Sequence, residues 1–265
     1  MAIPFSSSEI SQVLSCVSEA SLAVLKIYHD HQKDKDVHLS FKTDRSPLTK
    51  ADLVANEILV KGLHQIKPSL AIVSEEMDVG NMRHKCFWLV DPLDGTKEFV
   101  EKKDSFTLNV ALIEDGVPTL GFVFAPALQE YYWGGLNYGS YYKKNGGFES
   151  LPNTTLKSLP AHPKIAVSRL HAKDEATEYL KLYRGYELVQ VGSSIKFCHV
   201  ARGLIDIYPR FGPTHEWDTA AGQAILTSVG GFVFTDGGAD LAYGKADYLN
   251  PKFIASRCAH PLLPV

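Results

Sequence analysis

The sequence predicts a mixed α and β protein built in two layers or subdomains, and three patterns carry that expectation. An amphipathic helix opens the chain. Short apolar strands separated by turns fill residues 72–133. From Lys164 onward, strands and helices alternate.

The first helix is marked by Ser6 and Glu9, which have the spacing of a capping box. Ile10, Val13, Leu14, Val17, Ser21, Val24, Leu25 and Tyr28 then recur at a helical period and form one apolar face. Asp30 to Lys42 is charged, has little apolar content and reads as an exposed, mobile loop. His29 and His31 fall with this polar stretch and lack the carboxylate context of a zinc site. A second helix is expected from Thr49 to about Ile66, before Pro68. Strands follow at Ile72–Val73, Phe87–Val90, Phe106–Ile113, Leu120–Ala125 and Glu130–Trp133, with a turn at Glu114-Asp115-Gly116. They suggest an antiparallel sheet packed with the two helices. Leu151 to Pro163 is rich in Pro, Thr and Ser and marks the expected boundary between an α+β subdomain, 1–155, and an α/β subdomain, 156–265. In the second half, strands are expected at Lys164–Val167, Tyr186–Val191 and Ile205–Tyr208. Helices are expected at Asp174–Leu182, Ser194–Arg202 and Trp217–Val229, the last ended by Gly230-Gly231.

Composition narrows the function. The 265 residues are 45% hydrophobic, as in a globular protein of one or two domains. No run of about 18 apolar residues stands out, so no transmembrane segment is expected. The amino terminus lacks the pattern of a secretory signal. A net charge of −3 gives no general attraction to nucleic acid or to anionic membranes. An anionic ligand would need a local cationic pocket. Cys16, Cys86, Cys198 and Cys258 are scattered and form no Cys-x-x-Cys pair, so buried, reduced thiols and a cytoplasmic setting are expected. There is no Gly-x-Gly-x-x-Gly turn, no Gly-x-x-x-x-Gly-Lys loop and no Gly-x-Ser-x-Gly elbow.

The most informative segment is Asp91-Pro92-Leu93-Asp94-Gly95-Thr96-Lys97-Glu98-Phe99. It follows the apolar run Phe87–Val90. Pro92 is expected to end that strand and Gly95 to permit a sharp turn. Two carboxylates and a hydroxyl then crowd one strand end. Crowded carboxylates repel, and a cation relieves them. A hard ion such as Mg²⁺ suits an all-oxygen site.

This segment resembles the metal-binding motif of the inositol monophosphatase-like superfamily. That superfamily includes inositol phosphatases, fructose-1,6-bisphosphatases and 3′(2′),5′-bisphosphate nucleotidases. Lys97-Glu98-Phe99 is similar to the nucleotidase branch, where inositol monophosphatases more usually carry Thr-Asn-Phe. Lys42 to Asp52, Val73-Ser-Glu-Glu76 and Glu216-Trp-Asp-Thr-Ala-Ala-Gly222 fit in order and spacing. Gly192 to Cys198 and Tyr208 to Pro213 also resemble bacterial nucleotidases. The resemblance implies a layered α-β-α-β-α sandwich and two or three Mg²⁺ ions. It assigns the ions to Glu75, Asp91, the Leu93 carbonyl, Asp94 and Asp218, most of them in the first subdomain and the last in the second. It implies that Asp52 and Thr96 orient and deprotonate an attacking water. Substrate contacts are implied for Glu75, Leu93, Asp94, Gly95, Thr96, Ser168, His171, Ser193, Lys196, Arg210 and Asp218. Its implied activity is hydrolysis of adenosine 3′,5′-bisphosphate to AMP, with Li⁺ sensitivity and a role in sulfur metabolism. It is compatible with a homodimer and with peripheral association at the inner membrane.

Several of these residues have plainer explanations. Glu75 and Glu76 could be a solvated strand end, and the residues alone do not choose between them. Thr49-x-x-Asp52 fits a helix capping box, and Asp218 could complement a helix dipole. His171 could be a surface histidine and Lys196 a solvated charge. An inositol monophosphatase is the near alternative. A non-catalytic nucleotide sensor is disfavoured because Asp94, Thr96 and Asp218 are all retained.

Overall fold

The computed structural model describes residues 4–33, 40–41, 47–77, 84–167 and 173–259. Both expected capping boxes form. α1 (Ser7–Gln32) starts where Ser6 Oγ accepts the Glu9 N–H and Glu9 accepts the Ser6 N–H. β1 (Ser40–Phe41) pairs antiparallel with β2 (Pro47–Leu48). α2 (Lys50–Ile66) is closed by the reciprocal Thr49 and Asp52 cap. α1 extends through the start of the expected loop and carries His29 and His31 in its last turn. Histidine suits a helix C-terminus, and the His31 ring also stacks on Phe99 at 6.1 Å. The rest of that expected loop lies mostly outside the described residues. By length and composition α1 is apolar enough to cross a membrane, a test that a buried core helix also passes. In this fold its apolar face, Val13, Val17, Ala20, Val24 and Tyr28, is buried against α2 and the large sheet.

The large sheet runs β3 (Ala71–Ser74), β4 (Cys86–Asp94), β5 (Thr107–Glu114), β6 (Val117–Ala125), β7 (Glu130–Gly135), β8 (Gly139–Lys143) and β9 (Glu149–Ser150), in that spatial order. β3 and β4 are parallel and the other pairs antiparallel. Pro92 does not end its strand as expected. β4 continues to Asp94 through a register shift between Asp91 and Asp94. A bulge accommodates a residue that has no N–H for the ladder. Gly95 does make the sharp turn. It adopts φ +90°, a left-handed conformation that favours glycine, and opens the short α3 (Thr96–Val100).

The second half forms a five-stranded sheet. It contains β10 (Lys164–Val167), β11 (Glu187–Gln190), β12 (Ile207–Arg210), β13 (Phe232–Thr235) and β14 (Phe253–Ser256), ordered β11-β10-β12-β14-β13. The first three are mutually parallel, and β14 pairs antiparallel with β12 and β13. The helices are α4 (Lys173–Leu180), α5 (Ile195–Ala201) and α6 (Ala220–Ser228). The single helix expected from Trp217 is divided. Residues Glu216–Asp218 make a 3-10 turn, and α6 starts afresh after Thr219. The Asp218 carboxylate accepts the His215 N–H at 2.8 Å, which closes the turn separately.

Burial defines five layers. α1 and α2 cover one face of the large sheet through Trp88, Val90, Leu108 and Phe122. Leu89, Ala111 and Val123 on its other face share a core with Phe197, Val200, Ala221, Ile225 and Phe253. α5 and α6 are thus the middle layer between the sheets. Beyond the small sheet, Ile165, Ile207 and Ile254 pack with Tyr179 of α4. This is the expected α-β-α-β-α sandwich.

The middle layer is tight where α6 crosses β6. A Cβ on Gly121 would lie 2.3 Å from the Ala221 carbonyl oxygen and 2.8 Å from its Cα. Those are backbone atoms of the helix that follows Asp218, so neither side can yield cheaply. Gly121→Ala should destabilise the fold by about 1–3 kcal/mol, measured by urea denaturation. A variant as stable as the parent would show that α6 can retreat.

Candidate metal and phosphate site

The acidic residues converge where strands of the large sheet meet the 3-10 turn. Glu75 leaves β3, and its N–H is tied to the Val90 carbonyl of β4 at 3.1 Å. Asp91 and Asp94 flank the β4 bulge. Asp218 comes from the other half of the chain on its capped turn. Glu75, Asp91 and Asp218 each offer a carboxylate oxygen within 4.8 Å of the others.

Asp91 is the most constrained member. It is 1% exposed; Oδ1 accepts the Leu93 N–H at 3.0 Å, while Oδ2 is buried with no hydrogen-bond partner among the described residues. Burial, and then the charges of Glu75, Asp94 and Asp218, push its carboxyl well above the usual carboxylate range. Asp218 is raised for the same reasons, with burial first and Asp94 and Glu75 after it. Asp94 is pushed up to about 6 by burial, against the pull of Lys196 and of the Ser194 N–H that donates to it at 2.5 Å. A cation is the missing complement to such a group. The donor set is hard oxygen, and an orphaned buried carboxylate oxygen is what a metal ligand looks like without its ion. The residues therefore fit a hard divalent cation.

Beside the acidic cluster, the two oxygens of Asp52 make separate contacts. Oδ2 accepts the Thr49 N–H at 2.8 Å and its hydroxyl at 2.6 Å, which is the helix cap. Oδ1 lies 3.3 Å from Thr96 Oγ1, which also reaches the Leu93 carbonyl at 3.1 Å. The carbonyl assigned to a metal by resemblance thus meets the Thr96 hydroxyl with one of its lone pairs.

Of the residues assigned to substrate, Glu75, Leu93, Asp94, Gly95, Thr96 and Asp218 belong to this cluster or its turn. Ser193 adopts φ +46° on the loop that enters α5. Lys196 is not a solvated charge: it is 2% exposed, and burial lowers its ammonium to about 8 even beside Asp94. Its Nζ donates to the Ser193 carbonyl at 2.6 Å and lies 4.9 Å above the Tyr208 ring. Arg210 ends β12; it donates to the Pro213 carbonyl at 3.0 Å, and its charge depresses both Lys196 and Asp218. A basic pair thus stands next to the acidic cluster. Ser168 and His171 lie outside the described residues.

Sequence reasoning missed the groups beneath Asp94. Thr107 and Asn109 of β5 and Ser194 at the start of α5 are all nearly fully buried. Thr107 Oγ1 lies 3.5 Å from Asp94 Oδ2 and 2.8 Å from Ser194 Oγ, which lies 2.6 Å from the Asn109 amide. The signal was present as two polar residues at strand alternation inside an apolar run, Thr107-Leu-Asn109-Val.

These features define a class. A family model described as the inositol monophosphatase family matches residues 8–263, and the chain belongs to that family. Within it, the chain is similar to proteins named 3′(2′),5′-bisphosphate nucleotidase CysQ. That of Salmonella typhimurium is 39% identical over 249 residues, covering 92% of this chain and 98% of the relative. The protein of that name from Escherichia coli K12 is 38% identical over 252 residues, covering 93% and 99%. Among solved structures, CysQ from Bacteroides thetaiotaomicron superposes with a TM-score of 0.78 at 35% identity, covering 95% of this chain and 97% of that one. An IMPase from Thermotoga maritima shares the fold, with a TM-score of 0.77 at 22% identity and coverage of 94% and 92%.

The raised carboxyls fix a pH dependence. A carboxyl raised in the fold holds a proton that the unfolded chain, with Asp near pH 4, has already released. Its stabilising effect is complete below about pH 4 and is lost as pH rises, through about 6 for Asp94, with Asp91 and Asp218 shifted in the same direction. In chelator, the urea midpoint should therefore fall as pH rises across this window. Millimolar Mg²⁺ should reverse that fall, because ion binding favours the ionised forms. Equal pH slopes with and without Mg²⁺ would dissociate these carboxyls from a metal site.

Proposed function

We propose that this chain is a Mg²⁺-dependent phosphatase that converts adenosine 3′,5′-bisphosphate to AMP and phosphate. One observation carries the reading. Carboxylates from two halves of the chain converge around the buried Asp91 Oδ2, which has no hydrogen-bond partner among the described residues, with a basic pair alongside. The nucleotidase-named relatives, matched over nearly the whole chain, support the substrate class.

Glu75, Asp91, Asp94, Asp218 and the Leu93 carbonyl would hold the ions, two or three in number. Bound Mg²⁺ supplies positive charge against the phosphate and lowers the pKa of water. The protein supplies position. With its single proton turned to Asp52 across 3.3 Å rather than to the Leu93 carbonyl at 3.1 Å, Thr96 would leave its oxygen to take a proton from the attacking water as its own passes to Asp52. The Asp52 carboxylate is fixed by its two bonds from Thr49 and cannot swing away. Water attacks phosphorus, losing its proton by way of Thr96 to Asp52, and the 3′ oxygen of the ribose leaves with the bond electrons and takes a proton from solvent. A thiol nucleophile is not needed, and the buried Cys198 thiol is raised too far to serve as one.

The phosphate remote from the chemistry needs a cation on an acidic chain. Arg210 fills this role best, since its planar fork suits phosphate. Lys196 supports it indirectly, because its ammonium is already bonded to the Ser193 carbonyl. Ser193, Gly95, Ser168 and His171 complete the proposed contacts. The same reading extends to Li⁺ inhibition, a role in sulfur metabolism, a cytoplasmic setting with peripheral membrane association, and a homodimer.

Two measurements test this. Asp94→Asn keeps shape but removes a ligand charge, and phosphate release should fall about 10³-fold, or ~4 kcal/mol. Near-normal turnover at saturating Mg²⁺ would remove Asp94 from the site. Arg210→Ala should lower kcat/KM on adenosine 3′,5′-bisphosphate by roughly 10–150-fold, chiefly through KM, from the loss of a charge-assisted bond. The loss on inositol 1-phosphate should be much smaller. Equal losses on both would move the chain toward the inositol phosphatases.

A further inference from the structure

The polar chain under Asp94 is expensive. Thr107 and Asn109 are 0% and 1% exposed, on a strand whose intervening residues Leu108 and Val110 are 0% exposed. Buried polar groups at such positions cost free energy that apolar side chains of like shape would not. Packing alone would favour Val and Leu. A role outside packing is required, and the contacts show where it leads: Asn109 touches Ser194, Ser194 touches Thr107, and Thr107 reaches both Asp94 Oδ2 and, at 3.2 Å, Ser193 Oγ.

Proton accounting gives the chain a direction. Each hydroxyl has one proton. With the Asn109 carbonyl toward Ser194, the Ser194 proton goes to Asn109 and Nδ2 is left buried with no partner among the described residues. The Thr107 proton is then drawn to Ser194, and an oxygen lone pair faces Asp94. The two ends of an amide have the same size, so hydrogen bonding decides which faces Ser194. Turning the amide places its N–H on Ser194, the Ser194 proton on Thr107 and the Thr107 proton on Asp94. That arrangement gives Nδ2 a partner for one of its two N–H groups. It leaves a carbonyl oxygen underused instead, the less costly defect. It also aims every donor at the acidic cluster.

The geometry points to a buried relay, Asn109 to Ser194 to Thr107 to Asp94, in which Thr107 and Asn109 are positioning residues for the metal-binding carboxylate. It rests on the proposed metal-dependent reading of this site. The relay also ties Asp94 to the loop of Ser193 and Ser194. Ser194 holds Asp94 twice, by its backbone N–H at 2.5 Å and by its hydroxyl through Thr107. Movement of this loop toward a substrate is therefore felt at Asp94.

The test is Mg²⁺ titration by calorimetry, with thermal melting in chelator on the same samples. Thr107→Val and Asn109→Leu should weaken Mg²⁺ binding about 10-fold, the scale of lost outer-shell support for a ligand. Their melting temperatures in chelator should be unchanged or higher, an outcome that a purely structural role does not give. Thr107→Ser, which restores the hydroxyl, should recover binding to within about twofold of the parent. If Asn109→Leu does not fold, the Thr107→Val and Thr107→Ser pair decides alone. Unchanged Mg²⁺ affinity in folded Thr107→Val overturns the relay, as does a loss that Thr107→Ser fails to rescue. Parent protein that binds Mg²⁺ without releasing phosphate from the bisphosphate would sink the proposed substrate and leave this test intact.

Discussion

Mutual repulsion among buried carboxylates is the constraint that the rest of this structure answers. Asp91, Asp94 and Asp218 are all raised above the usual carboxylate range, by burial first and by neighbouring carboxylates after it, Glu75 acting on all three. An isolated strand end would splay such groups into water. Here each is pinned by backbone donors, namely the Leu93 N–H on Asp91, the Ser194 N–H on Asp94 and the His215 N–H on Asp218. Backbone donors are rigid and carry no net charge, so they hold the cluster together without neutralising it. The unmet charge is left for a cation.

The sandwich turns that local demand into a global one. Asp91 and Asp94 belong to the first half of the chain, Asp218 and Ser194 to the second. They meet because α5 and α6 form the middle layer, with Phe197 and Ala221 in the same core as Leu89 and Ala111. The site is assembled by packing that is mostly remote from it. The close approach of Gly121 to Ala221 is one such contact, since it sets the depth of the helix just beyond Asp218.

Much of this was legible in the sequence, for identifiable reasons. Caps and periodicity are local, so Ser6, Glu9, Thr49 and Asp52 could be placed on their helices from spacing alone. Members of the acidic cluster were legible because Asp91 and Asp94 share one short segment, while resemblance supplied Glu75 and Asp218. Failures came where tertiary structure overrides local signals. Pro92 usually stops a strand, but a bulge absorbed it. The helix expected from Trp217 was divided because the Asp218 carboxylate turned back to His215, a bond that helical periodicity does not encode. β13 and β14 are four residues each, and their pairing with each other and β12 joins distant segments. The burial of Lys196 was not legible, because its helix is short and the burial depends on Tyr208 and the loop before it.

The burial of Lys196 changes how the charge of the site is understood. A solvated lysine could swing onto a phosphate and off again, and its charge would be screened. At 2% exposure, with its ammonium on the Ser193 carbonyl, this lysine is a fixed charge beside Asp94. Its attraction helps keep Asp94 ionised, while Asp94 in turn holds the lysine protonated against its burial. The pair is a mutual stabilisation: removing either partner leaves the other buried and uncompensated. Arg210 sits near enough to depress Lys196, so the two cations also repel. An anion beside the pair would relieve that repulsion, as a cation would relieve the carboxylates. The protein thus holds two strained groups of opposite sign side by side, and a metal-bound phosphate is the ligand that satisfies both at once.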